Sequence, residues 1–226
     1  MAIDLEVVAD EKAAARRAAE VIASIGSQSK AERNIFSLAM SGGRSPWGML
    51  AILGEDETMP WGETELFQVD ERIASPGSED RNLTHMVLGL SMDHQATLRP
   101  MPVTQRGLDD AAREYESQLP EPLDCVHLGL GPDGHTASLV PGDPVLEVSD
   151  RRVALTETAY QDYYRMTLTY PALDKARQIV WLVTGPKKRE PLEKLLAGDA
   201  SIPAGRVEND NMIVIADAAA GGDLAG

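Results

Sequence analysis

The sequence predicts a single α/β domain built on a mostly parallel sheet with helices on both faces. Two observations carry this. Short apolar runs alternate with amphipathic helical segments through the first half of the chain, the order that makes successive strands parallel. Three loops, at Ser41, Asp70 and Gly131, each follow directly on an apolar run, and in open α/β sheets the ligand site lies beyond the carboxyl ends of the strands. The 226 residues, 43% of them hydrophobic but only 4% aromatic, suffice for one large aliphatic core.

The elements follow in order. Leu5 to Val8 reads as a strand. Glu11 to Ile25 reads as a helix, because Ala14, Ala18, Val21, Ile22 and Ile25 fall on one face. Asn34 to Met40 is a strand that runs into Ser41-Gly42-Gly43. Pro46 suits a first helical turn, which Trp47 to Leu53 continues. Leu66 to Val69 is a strand ending at Asp70. Arg81 to Leu90 and Leu108 to Leu119 are helical. Cys125 to Leu130 is a strand followed by a glycine-rich turn and His135; Thr136 and Ser138 after it are residues that favour a helix start. Val153 to Thr156, Arg165 to Thr169 and Ile179 to Thr184 are strands, Arg189 to Leu196 is a helix and Met212 to Ala216 a last strand. The Gly/Ala-rich stretch from Ala218 to Gly226 is expected to fray. No internal repeat or low-complexity linker interrupts the chain, so residues 1–226 read as one domain.

Charge narrows the function classes. The net charge of −15 argues against a nucleic-acid or anionic-membrane partner. It also makes the surface a poor general attractor for an anionic small molecule, so any such ligand needs a local concentration of the 21 basic residues. Arg44, Arg72, Arg165 and Lys188 all fall inside the motifs quoted below, which favours a site over a generic surface. Cys125 is the sole cysteine, which rules out an intrachain disulfide and a cysteine metal cluster. His85, His94, His127 and His135 have no metal-ligand spacing and no loop has the carboxylate spacing of a cation site, so no metal is expected. No targeting segment and no run of roughly 18 apolar residues is present; a cytoplasmic protein is the expectation.

The most informative stretch is Gly129-Leu130-Gly131-Pro132-Asp133-Gly134-His135. A histidine at a strand's carboxyl end, beside a loop of backbone N–H groups, suits acid–base work on an anionic substrate. The same residues match the spaced glycines of a dinucleotide-binding turn, but Pro132 removes an N–H that a pyrophosphate would use and no strand ending in an acid follows about 20 residues later. Met40-Ser41-Gly42-Gly43 approximates a nucleophile elbow, yet too few residues precede it for the strands such a fold requires. Paired glycines that let amides approach a phosphate fit better.

These motifs also carry a resemblance. Gly129-x-Gly131-Pro132-Asp133-Gly134-His135-Thr136-Ala137-Ser138-Leu139-x-Pro141 resembles the signature of the 6-phosphogluconolactonases, whose family includes the glucosamine-6-phosphate deaminases. Ser41-Gly42-Gly43-Arg44-Ser45-Pro46, Val69-Asp70-Glu71-Arg72, the Arg165–Thr169 segment and Gly185-Pro186-Lys187-Lys188 resemble its other elements in the same order. The resemblance implies a Rossmann-like three-layer α/β/α sandwich, a mostly parallel sheet with extra C-terminal strands. It implies hydrolysis of 6-phospho-D-glucono-1,5-lactone in the oxidative pentose phosphate route, without a cofactor. His135 would be the general base, and Asp70 would bind sugar hydroxyls or orient His135. Ser41, Gly42, Gly43, Arg44, Ser45, Arg72, Gly131, Asp133, Gly134, Arg165 and Lys188 would bind the substrate, with amides near Gly131 to His135 facing the oxyanion. Lys187 and Arg189 flank Lys188 and compete for its role.

The chain departs from the family pattern at Arg44, where a hydroxyl residue is usual, and at Arg81, where serine usually precedes Asn82. The deaminase branch tends to carry Asp-Glu-Tyr, and an acid in Phe-Asn-Glu-Pro after the Gly-His turn. This chain has Asp70-Glu71-Arg72 and Ser138-Leu139-Val140-Pro141, with no acid. A sugar-phosphate-sensing module is a further alternative, one normally joined to a DNA-binding helix-turn-helix.

Overall fold

The computed structural model describes residues 3–90 and 95–224; the side chain of Arg44 and the whole of His94 lie outside what is described. Among the described residues the strands, in chain order, are β1 (Ile3–Val8), β2 (Phe36–Met40), β3 (Thr64–Gln68), β4 (Asp70–Arg72), β5 (Thr97–Arg99), β6 (Cys125–Gly129), β7 (Val153–Leu155), β8 (Arg165–Leu168), β9 (Ile179–Val183) and β10 (Met212–Asp217). Seven form a parallel sheet in the order β1-β10-β9-β6-β2-β3-β5; the other three form a small antiparallel sheet, β4-β8-β7. The helices are α1 (Glu11–Arg33), α2 (Arg44–Gly54), α3 (Asn82–Gly89), α4 (Leu108–Gln118), α5 (Tyr170–Asp174), α6 (Arg189–Leu196) and α7 (Ala218–Gly221).

The central strands are buried on both faces, which explains why β2, β6 and β9 read as continuous apolar runs. One face packs α1, α2 and α3 around Ile22, Phe36, Leu50 and Met86; the other packs α4, α6, α7 and the small sheet around Phe67, Tyr115, Trp181 and Leu192. The chain leaves β2 toward β3 and leaves β6 toward β9, in opposite directions along the sheet. The crevice between the ends of β2 and β6 is therefore the switch point at which such sheets hold ligands.

Several expectations are corrected. Helix α1 runs to Arg33, past the expected end at Ile25. Its glycine, Gly26, sits where a Cβ would press on the Phe36 ring and Pro60, and Asn34 ends the helix in a left-handed conformation (φ 57°). Strand β2 accordingly begins at Phe36, not Asn34. No helix starts at Thr136 or Ser138; these hydroxyls bond Gly129 O and the Asp70 carboxylate instead. Asp70-Glu71-Arg72 is not a loop but an edge strand paired with Arg165–Leu168. Strand β5 is short and polar, and its pairing with β3 has no apolar signature. The tail expected to fray from Ala218 instead begins with α7, capped by Asp217, with Ala220 and Gly221 buried; residues 225–226 lie outside the described part.

One buried group costs stability. His127 on β6 lies in register with Met40 and Val180 and is fully buried, and neither ring nitrogen has a hydrogen-bond partner among the described residues. Desolvation pushes its pKa down to about 3. A base with a depressed folded-state pKa stays neutral in the fold but takes up a proton on unfolding below about pH 6.5, so stability falls with pH from there toward 3. His127→Leu is therefore expected to raise unfolding free energy by at least about 1 kcal/mol at pH 7. The gap to wild type should widen by up to about 1.4 kcal/mol per pH unit below pH 6. Urea unfolding at pH 7 and 5 measures this; a gap that is constant or shrinks on acidification contradicts it.

Candidate active site

An open cleft of about 850 Å³ occupies the carboxyl edge of the sheet at the switch point. Its walls come from four strand ends. Strand β2 supplies Ser41, Gly42, Gly43 and, from the start of α2, Ser45; β3 leads into Asp70 and Arg72; β6 leads to Gly131 and His135; β9 leads to Thr184, Gly185 and Lys188. Arg165 of β8 reaches in from the small sheet. Of the site residues expected from sequence, Asp133 stands behind His135, Gly134 packs against Ile202 away from the cleft, and the Arg44 side chain is outside the described part.

His135 is held from behind. Its Nδ1 lies 2.5 Å from Asp133 Oδ1, and the Tyr160 hydroxyl donates to Asp133 Oδ2 at 3.1 Å. The hydrogen bond from His135 holds the Asp133 carboxyl well below the usual carboxylate range, against the opposing effect of partial burial. At neutral pH Asp133 is therefore an ionised acceptor, so Nδ1 carries a proton and Nε2 is the ring nitrogen left for the cleft. The residue that orients His135 is thus Asp133; Asp70 is engaged elsewhere. Gly131 is required here by space, since a Cβ would lie 2.0 Å from His135 Nδ1.

Asp70 is almost fully buried and anchors the cleft floor. It accepts from Ser138 Oγ at 2.6 Å and Asn82 Nδ2 at 3.0 Å, and its Oδ2 lies 3.6 Å from Arg165 Nη1. Asn82, which sequence reasoning did not single out, also accepts from Arg72 Nη1 at 3.2 Å. A Cβ on Gly42 would collide with the Asn82 side chain, so the Ser-Gly-Gly loop must carry glycine to pass over it. Glu71, fully buried, accepts from the backbone N–H groups of Asn82 and Leu83 and lies 3.3 Å from Arg81 Nε. Arg81 thereby acts on the frame of the cleft rather than on its contents.

Two features suit the cleft to an anion. The amides of Gly42 and Gly43 make no hydrogen bond among the described residues, and α2 begins behind Gly43 without a side-chain cap. Such a helix start offers N–H groups and a positive dipole end. The ammonium of Lys188, half-buried, makes no ion pair or hydrogen bond among the described residues. Burial pushes its pKa below the ordinary lysine value, with the nearby Asp133 opposing. Its neighbours are engaged elsewhere or turned away: Arg189 pairs with Asp223 at 2.6 Å and Lys187 is exposed. By contrast, three of the amides expected to face an oxyanion are occupied. Gly131 N donates to His135 O, Gly134 N to Gly131 O, and His135 N to Asp133 Oδ1.

The fold and cleft define an open-sheet α/β protein with an anion-adapted pocket and a poised histidine at its switch point. The chain belongs to the glucosamine-6-phosphate isomerase/6-phosphogluconolactonase family, which it matches over residues 9–215. It is 31% identical over 214 residues to the 6-phosphogluconolactonase of a Synechocystis strain, covering 88% of each chain. It is also 31% identical to the enzyme of that name from Mycobacterium tuberculosis, covering 83% of this chain and 84% of the other. In fold it is similar to the 6-phosphogluconolactonase structure from Trypanosoma brucei, with a TM-score of 0.87 at 24% identity over 99% of both chains. A monomeric glucosamine-6-phosphate deaminase is also similar in fold, with a TM-score of 0.83 at 17% identity over 96% of this chain and 98% of that one.

Proposed function

We propose that this chain hydrolyses 6-phospho-D-glucono-1,5-lactone to 6-phosphogluconate. The observation that carries the reading is the pairing, in one cleft, of His135, held by Asp133 through Nδ1, with the Lys188 ammonium and the amides of Gly42 and Gly43, which have no partners among the described residues. Water held by Nε2 attacks the lactone carbonyl carbon as His135 takes its proton. The C1–ring-oxygen bond then breaks, and His135 returns the proton to the leaving oxygen. The 6-phosphate binds Lys188, Arg72 and the Ser41–Ser45 loop, which fixes the carbonyl over His135. Arg165, already engaged with Asp70, contributes its remaining charge. No residue in this scheme calls for a metal or a cofactor. The acidic surface leaves attraction of the phosphosugar to the basic groups of the cleft, and the single buried cysteine fits a reducing, cytoplasmic setting. Among the described residues no helix is long and apolar enough to cross a membrane.

The alternative is deaminase chemistry, which in this family uses an acid after the Gly-His turn. Here those four residues are Ser138, Leu139, Val140 and Pro141, and the place of the acid, just before the proline, holds the buried apolar Val140. Purified protein is expected to accelerate opening of freshly made lactone, followed through 6-phosphogluconate dehydrogenase after subtracting spontaneous opening, and to release no ammonia from glucosamine-6-phosphate. Ammonia release without lactone opening overturns the assignment.

A further inference from the structure

We infer that Tyr160 is a positioning residue for His135, and that the hairpin tip carrying it braces the base against the phosphate side of the cleft. The inference rests on the reading of His135 as base. Tyr160 lies 25 residues from His135, between β7 and β8, in a segment with no place in the motifs above. Tyr160 and Tyr163 pair across a two-residue turn in which Gln161 and Asp162 both have positive φ, 50° and 69°. Left-handed backbone at a non-glycine residue is costly and marks a conformation that the surroundings enforce. Both tyrosines show what enforces it. The Tyr163 hydroxyl donates to Asp80 at 2.7 Å, and the Asp80 carbonyl in turn accepts from Arg72 Nη1. The Tyr160 side chain reaches Asp133 and His135.

Tyr160 makes three contacts at once. Its hydroxyl donates to Asp133 Oδ2 at 3.1 Å and lies 3.3 Å from His135 Nδ1. Its ring meets the imidazole edge-on at 5.0 Å between centroids. On its face lies the Arg165 guanidinium, 5.2 Å from the centroid, and Arg165 Nη2 also donates to the Tyr160 carbonyl at 3.0 Å. The hydroxyl fixes the second oxygen of Asp133, so the first stays aimed at Nδ1, and the ring blocks rotation of the imidazole. Without the hydroxyl, Asp133 is free to rotate, the Nδ1-protonated tautomer is held less firmly and Nε2 is available for less of the time. The ring and the hydroxyl therefore act differently: the hydroxyl acts on the base, the ring acts also on Arg165.

Tyr160→Phe and Tyr160→Ala separate these roles. Tyr160→Phe is expected to lower kcat about two- to tenfold, the worth of one hydrogen bond, with KM changed less than twofold. Long-range proton–nitrogen NMR of the ligand-free protein, with His135 assigned by its loss in His135→Ala, should show Nδ1 protonated in wild type and a mixture of tautomers in Tyr160→Phe. Tyr160→Ala, which uncovers Arg165, should raise KM as well. Wild-type kcat in Tyr160→Phe, or an unchanged imidazole spectrum, overturns the inference. If His135→Ala is inactive while Tyr160→Phe is normal, the inference alone fails; if His135→Ala retains wild-type kcat, the reading beneath it fails too.

Discussion

His135→Ala is expected to lower kcat by about 10²-fold or more while leaving KM and the fold nearly unchanged, because general-base help of this kind is worth roughly 10² to 10⁴ in rate. The side chain is about one-fifth exposed and bonds Asp133 and Tyr160, so its loss opens no apolar cavity. The lactone opens unaided, and the variant's rate has to be read above that background. Retention of more than about half of wild-type kcat would move the base elsewhere.

Lys188→Ala is expected to weaken substrate binding about tenfold or more, since a charge-assisted hydrogen bond contributes roughly 1.5–3 kcal/mol. Lys188 is the better probe than Arg72. Arg72 is tied to Asp80 and Asn82, so removing it also loosens the loop, whereas the Lys188 ammonium has no partner among the described residues to leave behind. The lowered pKa gives a second readout. A half-buried ammonium with its pKa below the ordinary lysine value loses its proton earlier as pH rises. Affinity for 6-phosphogluconate, measured by calorimetry, should therefore begin to fall at a lower pH than an ordinary lysine allows. In Lys188→Ala that pH dependence should be lost. Equal affinities in the two proteins would take Lys188 out of the phosphate site.

The elements that position the cleft were legible because central strands of a parallel sheet are continuously apolar and end in glycine. Ser41, Gly131 and Lys188 could each be placed after a strand for that reason, and Asp70 after the short, mostly apolar run Leu66 to Val69, which has no glycine. What was not legible depends on contacts distant in sequence. Asp70 at a strand end looks free to serve His135. Only the pairing of β4 with β8 and the approach of Ser138 and Asn82 show that it is engaged. Asp133, two residues from His135, carries that role through a tight turn that motif spacing does not reveal. Tyr160 left one faint signal: Gln161-Asp162 between two tyrosines, flanked by strand-like segments, has the form of a two-residue hairpin. Gly26, Ser27 and Ser29 are weak helix formers, so the sequence does not show that α1 continues past Ile25. In the fold, Gly26 admits the Phe36 ring and Ser29 Oγ donates to Ile35 O at 2.7 Å.

The most direct test of the account is a crystal structure with 6-phosphogluconate bound. The account predicts the phosphate on Lys188, Arg72 and the amides of Gly42 and Gly43, with the C1 carboxylate within hydrogen-bond reach of His135 Nε2. A phosphate seated at another basic cluster, or a C1 carboxylate turned away from His135, would contradict it.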